Sequence, residues 1–161
     1  MAKFYIYALI DPTNNELFYI GQTTIRPHYR MINHLSAAKK SDSPVYTRIK
    51  DMISRGVRPI VYSLKRFESD LCTITNEKHG LYFEKIFIKE YSQLGTLLNI
   101  QCNPLYCTET KSFVEPKNRK TLQYKNGEYF IESDVIKYLH KEPYNPFKNH
   151  RFKAKMSQEE I

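Results

Sequence analysis

Residues 3–10, KFYIYALI, and residues 17–20, LFYI, are two runs of β-forming residues separated by the turn formers Asp11-Pro12-Thr13-Asn14-Asn15. Two such runs around one short loop predict a β-hairpin. Working outward, Gly21-Gln22-Thr23-Thr24 breaks the second run, and Pro27 suits the first turn of a helix that extends toward Lys40. Arg30 and His34 then lie four residues apart on one helical face. Ser43-Pro44 reads as an N-cap and a first helical residue, and Val45, Ile49, Met52 and Ile53 recur at helical spacing before Gly56 ends the segment. Residues 60–67, IVYSLKRF, predict a third strand, followed by a long helix from about Asn76 to Leu94 closed by Gly95. On that helix Leu81, Ile88 and Tyr91 share a stripe with Glu84, while Lys78, Lys85, Lys89 and Ser92 form the solvated face. A carboxylate in an otherwise apolar stripe requires a partner or a function.

From about residue 101 the pattern changes. CNPLYCTETKSFVEPKNRK has little periodicity, whereas residues 124–131, YKNGEYFI, carry an Asn-Gly hairpin signal and Glu132 to His140 predicts a short helix with Val135, Ile136 and Leu139 as its apolar face. The remaining tail, with Pro143, Pro146, Lys148, Arg151, Lys153 and Lys155, reads as extended and basic. The division expected is residues 1–100 as one domain and 101–161 as a hairpin-helix extension that contacts DNA or forms a dimer surface.

At 161 residues the chain is one domain, or one with a small appendage. Its 41% hydrophobic and 14% aromatic content is enough to form a core and excludes wholesale disorder. A formal charge of +8 favours a polyanionic partner. No stretch approaches a membrane span, and the apolar run at the start is cut off by Asp11 and Pro12, so a cytosolic protein without a secretory signal is expected. Three cysteines, Cys72, Cys102 and Cys107, argue against a disulfide framework. Cys102 and Cys107 with His79, His140 and His150 lack the paired spacing of a zinc site.

The segments Tyr5-Ile6-Tyr7 and Tyr19-Ile20-Gly21, eleven residues apart, resemble the paired motif of the GIY-YIG nuclease superfamily, with Tyr5 standing where that family commonly has glycine. The resemblance continues through Gly21-Gln22-Thr23 to Arg30, to His34 four residues on, to Glu84 in YFEKIFIKEY and to Asn99 in LLNI, and so covers residues 4–100. It implies an α/β (α+β) fold with a small three-stranded antiparallel sheet flanked by helices. It also implies a metal-dependent endonuclease that hydrolyses DNA phosphodiester bonds, of restriction, homing or phage type, in a bacterial or phage-infected cell.

Phosphodiester hydrolysis requires an activated water, neutralised phosphoryl charge and a stabilised leaving oxygen. In this reading Glu84 binds Mg²⁺ or Mn²⁺, hard cations that accept a single protein carboxylate and keep several waters. Tyr7 is the candidate general base, which requires Arg30, His34 or the metal to lower a phenol pKa that is ordinarily near 10. Tyr19 orients water or phosphate beside it. Arg30 presents a guanidinium fork to the phosphate, and His34 shares that contact or serves as an alternative base. Gly21 and Asn99 support the site, and Arg26, Lys39, Lys40 and Arg48 are candidate phosphate-positioning contacts on DNA. One site per chain cuts one strand, so double-strand cleavage needs a homodimer or two successive nicks. The alternative is a non-catalytic nucleic-acid-binding or regulatory module on a nuclease-like fold.

Overall fold

A computed structural model of the chain describes residues 2–69 and 73–141. Alternation along β1 (Ala2–Asp11) sends Phe4, Ile6, Ala8 and Ile10 to one face of the sheet and Tyr7 and Leu9 to the other. The strand pairs antiparallel with β2 (Glu16–Thr23) on one side and with β3 (Ile60–Ser69) on the other, giving the order β2-β1-β3. The expected hairpin is present, with strands longer than the quoted runs. Asn15, at φ 57°, takes the left-handed conformation that closes its turn.

Each sheet face is covered by helix. α1 (Pro27–Ala37) and α2 (Pro44–Ser54) bury Met31, His34, Val45, Ile49 and Met52 against Tyr7, Leu9 and Phe18. On the opposite face α3 (Thr73–Tyr91) packs Phe83, Ile86, Phe87 and Tyr91 onto Phe4, Ile6 and Ile20. The result is an α+β fold with a three-stranded antiparallel sheet. The outer edge of β2 is closed by residues 96–98. Thr96 Oγ1 donates to the Leu17 carbonyl at 2.7 Å, and the Leu98 N–H donates to the Phe18 carbonyl at 2.8 Å.

Several helix details differ from the sequence expectation. Ile53 is 45% exposed, because the buried stripe of α2 ends at Met52 and the chain turns at Gly56 (φ +73°). Leu81 is 49% exposed, whereas Phe83, Phe87 and Glu90 are buried, so the buried face of α3 is rotated away from Leu81. Ser92 is buried, not solvated: α3 tightens there into a 3₁₀ turn (Ser92–Leu94), and Ser92 Oγ donates back to the Lys89 carbonyl at 2.6 Å. Ser43 holds the N-cap position of α2 without a side-chain cap bond, its carbonyl accepting the Thr47 N–H at 2.8 Å.

Beyond residue 100 a two-residue ladder, β4 (Tyr106–Cys107) with β5 (Ser112–Phe113), precedes the hairpin β6 (Gln123–Lys125) and β7 (Glu128–Phe130). Asn126 and Gly127, at φ 55° and 78°, form the expected Asn-Gly turn. α4 (Asp134–Lys141) then returns Ile136 and Leu139 to the cluster that contains Phe4 and Phe83. Ser133 begins it, accepting the Ile136 N–H at 3.2 Å and donating to the buried Glu90 carboxylate at 3.0 Å. The side chains of Cys72, His140 and His150 and the tail from Pro143 to Lys155 lie outside the described residues. Among those described, no helix is long and apolar enough to cross a membrane.

Because α4 shares the core of the sheet, Ile136→Ala is expected to cost about 2–4 kcal/mol. Urea unfolding should remain a single transition shifted to lower urea. A separate early transition belonging to residues 101–141 would contradict the shared core.

Candidate functional site

The site begins with a glycine. In the β1–β2 ladder Tyr7 faces Gly21 and Leu9 faces Tyr19. A Cβ on residue 21 would lie 2.7 Å from Tyr7 Oη, 2.8 Å from its Cζ and 2.9 Å from Tyr19 Cε1. The Tyr7 ring therefore lies across bare backbone, with the Tyr19 ring 6.1 Å away.

α1 supplies the next two groups. Arg30 and His34 are one turn apart on the face that meets this tyrosine pair. His34 is 1% exposed, and its ring packs edge-on against Tyr19 at 5.1 Å. Its Nε2 is 2.6 Å from Tyr7 Oη, and its Nδ1 is 3.2 Å from Tyr46 Oη, which comes from α2. Arg30 and Tyr19 are the electrostatic neighbours of the Tyr7 hydroxyl, the guanidinium favouring its ionised form and Tyr19 opposing it. Tyr46 was not among the residues singled out from the sequence. It is one tyrosine among 13, and nothing in the spacing of α2 marks it.

Glu84 and Asn99 complete the group from α3 and the segment after it. Asn99 Oδ1 accepts the Ile20 N–H at 2.9 Å and its Nδ2 donates to the Ile20 carbonyl at 2.8 Å, so one side chain pairs with β2 as a strand would. It grips the residue between Tyr19 and Gly21. Glu84 is half-buried, with the Gln22 backbone amide and Arg30 favouring its ionised form. Tyr19, Tyr46, Glu84 and Asn99 line one cavity of about 480 Å³. The structure thus brings Tyr7, Tyr19, Gly21, Arg30, His34, Glu84 and Asn99 together.

Burial dominates the electrostatics. It pushes the Tyr7 hydroxyl well above the ordinary phenol value, and the nearby Arg30 offsets only part of the effect. Arg30 and His34 by themselves do not bring the Tyr7 hydroxyl down to the range of an independent base. Tyr19 is pushed up to about 12, chiefly by burial and then by the neighbouring Glu84 charge. Burial, reinforced by Arg30, lowers His34 to about 4, so its imidazole is neutral at neutral pH and gives Tyr7 no positive charge. Burial raises Glu84 to about 7, against the opposing pull of the Gln22 N–H and Arg30.

The basic residues divide. Arg48 is a correction to the candidate DNA contacts: its Nη2 sits 3.1 Å from Asp11 Oδ2 and 2.9 Å from Glu16 Oε2, over the Phe18 ring. With Asp11 only 1% exposed, this ion pair clamps the hairpin end, and its charge is already neutralised. Lys39 and Lys40 are exposed just past α1. Arg26 lines a groove of about 510 Å³ with Lys3, Tyr5, His28 and Arg66, and no acidic residue lines it among the described residues. Also among the described residues, no three His, Cys, Asp or Glu side chains converge as a metal site. Glu84 is a lone carboxylate whose ionised form is poorly solvated, a donor that suits a hard cation retaining its waters.

Compared with known proteins, the chain matches no family model, no curated protein and no solved structure.

The two shifted groups make opposite contributions to stability. His34 takes up a proton in the unfolded chain but not in the folded one between its folded value of about 4 and the ordinary 6.5, so its contribution falls as pH falls through that window. Glu84 ionises in the unfolded chain but not in the folded one between 4.5 and about 7, so its contribution falls as pH rises. At full titration each amounts to at most about 3 kcal/mol, and from 4.5 to 6.5 they offset. Urea midpoints measured from pH 4 to 8 should show His34→Gln losing stability, relative to wild type, as pH rises, and Glu84→Gln losing it as pH falls. Parallel curves for all three proteins would overturn these assignments.

Proposed function

We propose that this chain is a metal-dependent endonuclease that hydrolyses DNA phosphodiester bonds by chemistry of the GIY-YIG kind. One observation carries the reading: Tyr7, Tyr19, Arg30, His34, Glu84 and Asn99, drawn from β1, β2, α1, α3 and the segment after α3, form a single connected cluster at a cavity wall. Residues this far apart in sequence meet for structural reasons too, but a core needs no guanidinium, imidazole and carboxylate at one point.

Glu84 would hold Mg²⁺ or Mn²⁺, which when bound neutralises charge on the phosphoryl and leaving oxygens. Arg30, half-buried and permanently charged beside Tyr7, binds the scissile phosphate. Tyr19 lines the cavity and meets the attacking water there. The buried Tyr7 stands behind it with its hydroxyl 2.6 Å from His34 Nε2, a neutral imidazole within reach of a proton. Gly21 and Asn99 hold both tyrosines in register. Arg26 and its groove contact flanking phosphates, with Lys39 and Lys40 at the other end of α1. A cytosolic setting, rich in Mg²⁺ and nucleic acid, suits this activity.

The complete burial of Tyr7 favours a second reading, a module that grips nucleic acid without cutting it. Incubation with supercoiled plasmid and Mg²⁺ or Mn²⁺ separates the two. Nicking should occur, stop with EDTA, and fall about 10²-fold or more in Arg30→Ala and Glu84→Ala. Binding without cutting under every metal tried would transfer the assignment to the second reading.

A further inference from the structure

β3 is the outermost strand of its sheet, and a groove opens on each side of it. The first, of about 510 Å³, lies on the α1 side, with Tyr5, Arg26, His28, Ser63 and Arg66 among its walls. The second, of about 610 Å³, lies between β3 and the C-terminal extension, with Tyr62 and Lys65 on one wall and Tyr129 and Lys137 on the other. Ser63 and Arg66 line both grooves, so the two meet on β3. A bulge marks the junction: Ile6 pairs with Lys65 and Tyr7 with Ser63, which leaves Leu64 as an extra residue in the ladder.

The first groove begins at the candidate site. Tyr5 and Tyr7 are alternate residues of β1, on one face of the sheet and about 7 Å apart. Arg26 and Arg30 are one helical turn apart, the Arg30 N–H donating to the Arg26 carbonyl at 3.3 Å. A strand held at Arg30 therefore runs directly into the groove.

The walls share one chemistry. Lys3, Arg26, Lys65, Arg66 and Lys137 line the two grooves against a single acidic residue, Glu128, among the described residues. Lys137 is engaged by Glu132 at 2.8 Å. Lys65 is half-buried with its ammonium 5.7 Å over the Phe67 ring, and burial pushes it below the ordinary lysine value, so it gains from an anion. Aromatic rings alternate with these cations: Tyr5 and His28 in the first groove, and in the second Tyr62 and Tyr129, edge to face at 5.2 Å. Tyr124, 64% exposed and 4.7 Å from Tyr129, extends the row of rings onto β6. Cations that follow a sugar-phosphate backbone, interleaved with rings on which bases stack, suit an unpaired strand. A duplex keeps its bases stacked on one another and presents mainly its phosphates to such a surface.

We propose that the two grooves form one track for a single DNA strand. The strand leaves the scissile phosphate at Arg30, follows Arg26 and Tyr5, crosses the β3 bulge at Ser63 and Arg66, and ends between β3 and the C-terminal hairpin. The substrate is then DNA cut beside an unpaired stretch, and residues 123–141 form the far wall of the track. Only the starting point of the strand rests on the nuclease reading above.

Fluorescence anisotropy in EDTA, where no metal-dependent cutting occurs, tests the track with a labelled single strand, the blunt duplex of the same sequence and that duplex carrying a single-stranded tail. The single strand and the tailed duplex should bind about tenfold or more tighter than the blunt duplex. Loss of one stacking ring in Tyr129→Leu, or in the exposed Tyr124→Leu, should weaken single-strand binding by about fivefold or more and leave the blunt duplex unchanged. Photocrosslinking of the wild type to a single strand carrying 5-iododeoxyuridine, read by peptide mass spectrometry, needs no variant and should mark Tyr62, Tyr124 or Tyr129. Equal affinity for blunt and tailed duplex, or crosslinks confined to residues outside the two grooves, would overturn the track, and plasmid nicking would still stand for the nuclease reading. If tailed DNA is held as described but plasmid is never nicked, the nuclease reading fails and the track stands as the grip of a non-cutting module.

Discussion

The contact on which the rest of the site depends is the Tyr7 ring lying on Gly21 with its hydroxyl 2.6 Å from His34 Nε2. A side chain at residue 21 would displace that ring. Without the ring, the buried Nε2 of His34 would lose its hydrogen-bond partner. The β1–β2 register, the position of α1 on the sheet and the grip of Asn99 on Ile20 all converge on this one placement.

That placement has an energetic consequence. The same burial disfavours the charged forms of Tyr7, His34 and Glu84, leaving Arg30 as the permanent charge among them. The hairpin end, by contrast, is held by charge. Arg48 bridges Asp11 and Glu16 there.

The elements that could be read from the sequence are those set by local rules. The hairpin showed in its β-branched and aromatic runs, α1 and α2 in Pro27, Pro44 and Gly56, the second hairpin in Asn126-Gly127, and α4 in the spacing of Val135, Ile136 and Leu139. What could not be read depends on tertiary partners. The buried face of α3 is not legible around Leu81 because apolar residues flank its lysine face on both sides, and only contact with Phe4 and Ile6 selects Phe83 and Phe87. Arg48 looked like any cation on a helix until Asp11 and Glu16 were seen beneath it. Tyr46 could not be distinguished at all, since its role comes from the position of His34 across the α1–α2 interface.

The central claim is that this cluster binds a metal and a DNA phosphate together. Manganese electron paramagnetic resonance, with phosphorus hyperfine coupling measured on a mixture of the protein, Mn²⁺ and a short DNA duplex, tests it most directly. The account predicts bound Mn²⁺ coupled to phosphorus, lost in Glu84→Gln and kept in Arg48→Ala. Equal Mn²⁺ binding in Glu84→Gln, or bound Mn²⁺ that never couples to phosphorus, would contradict it.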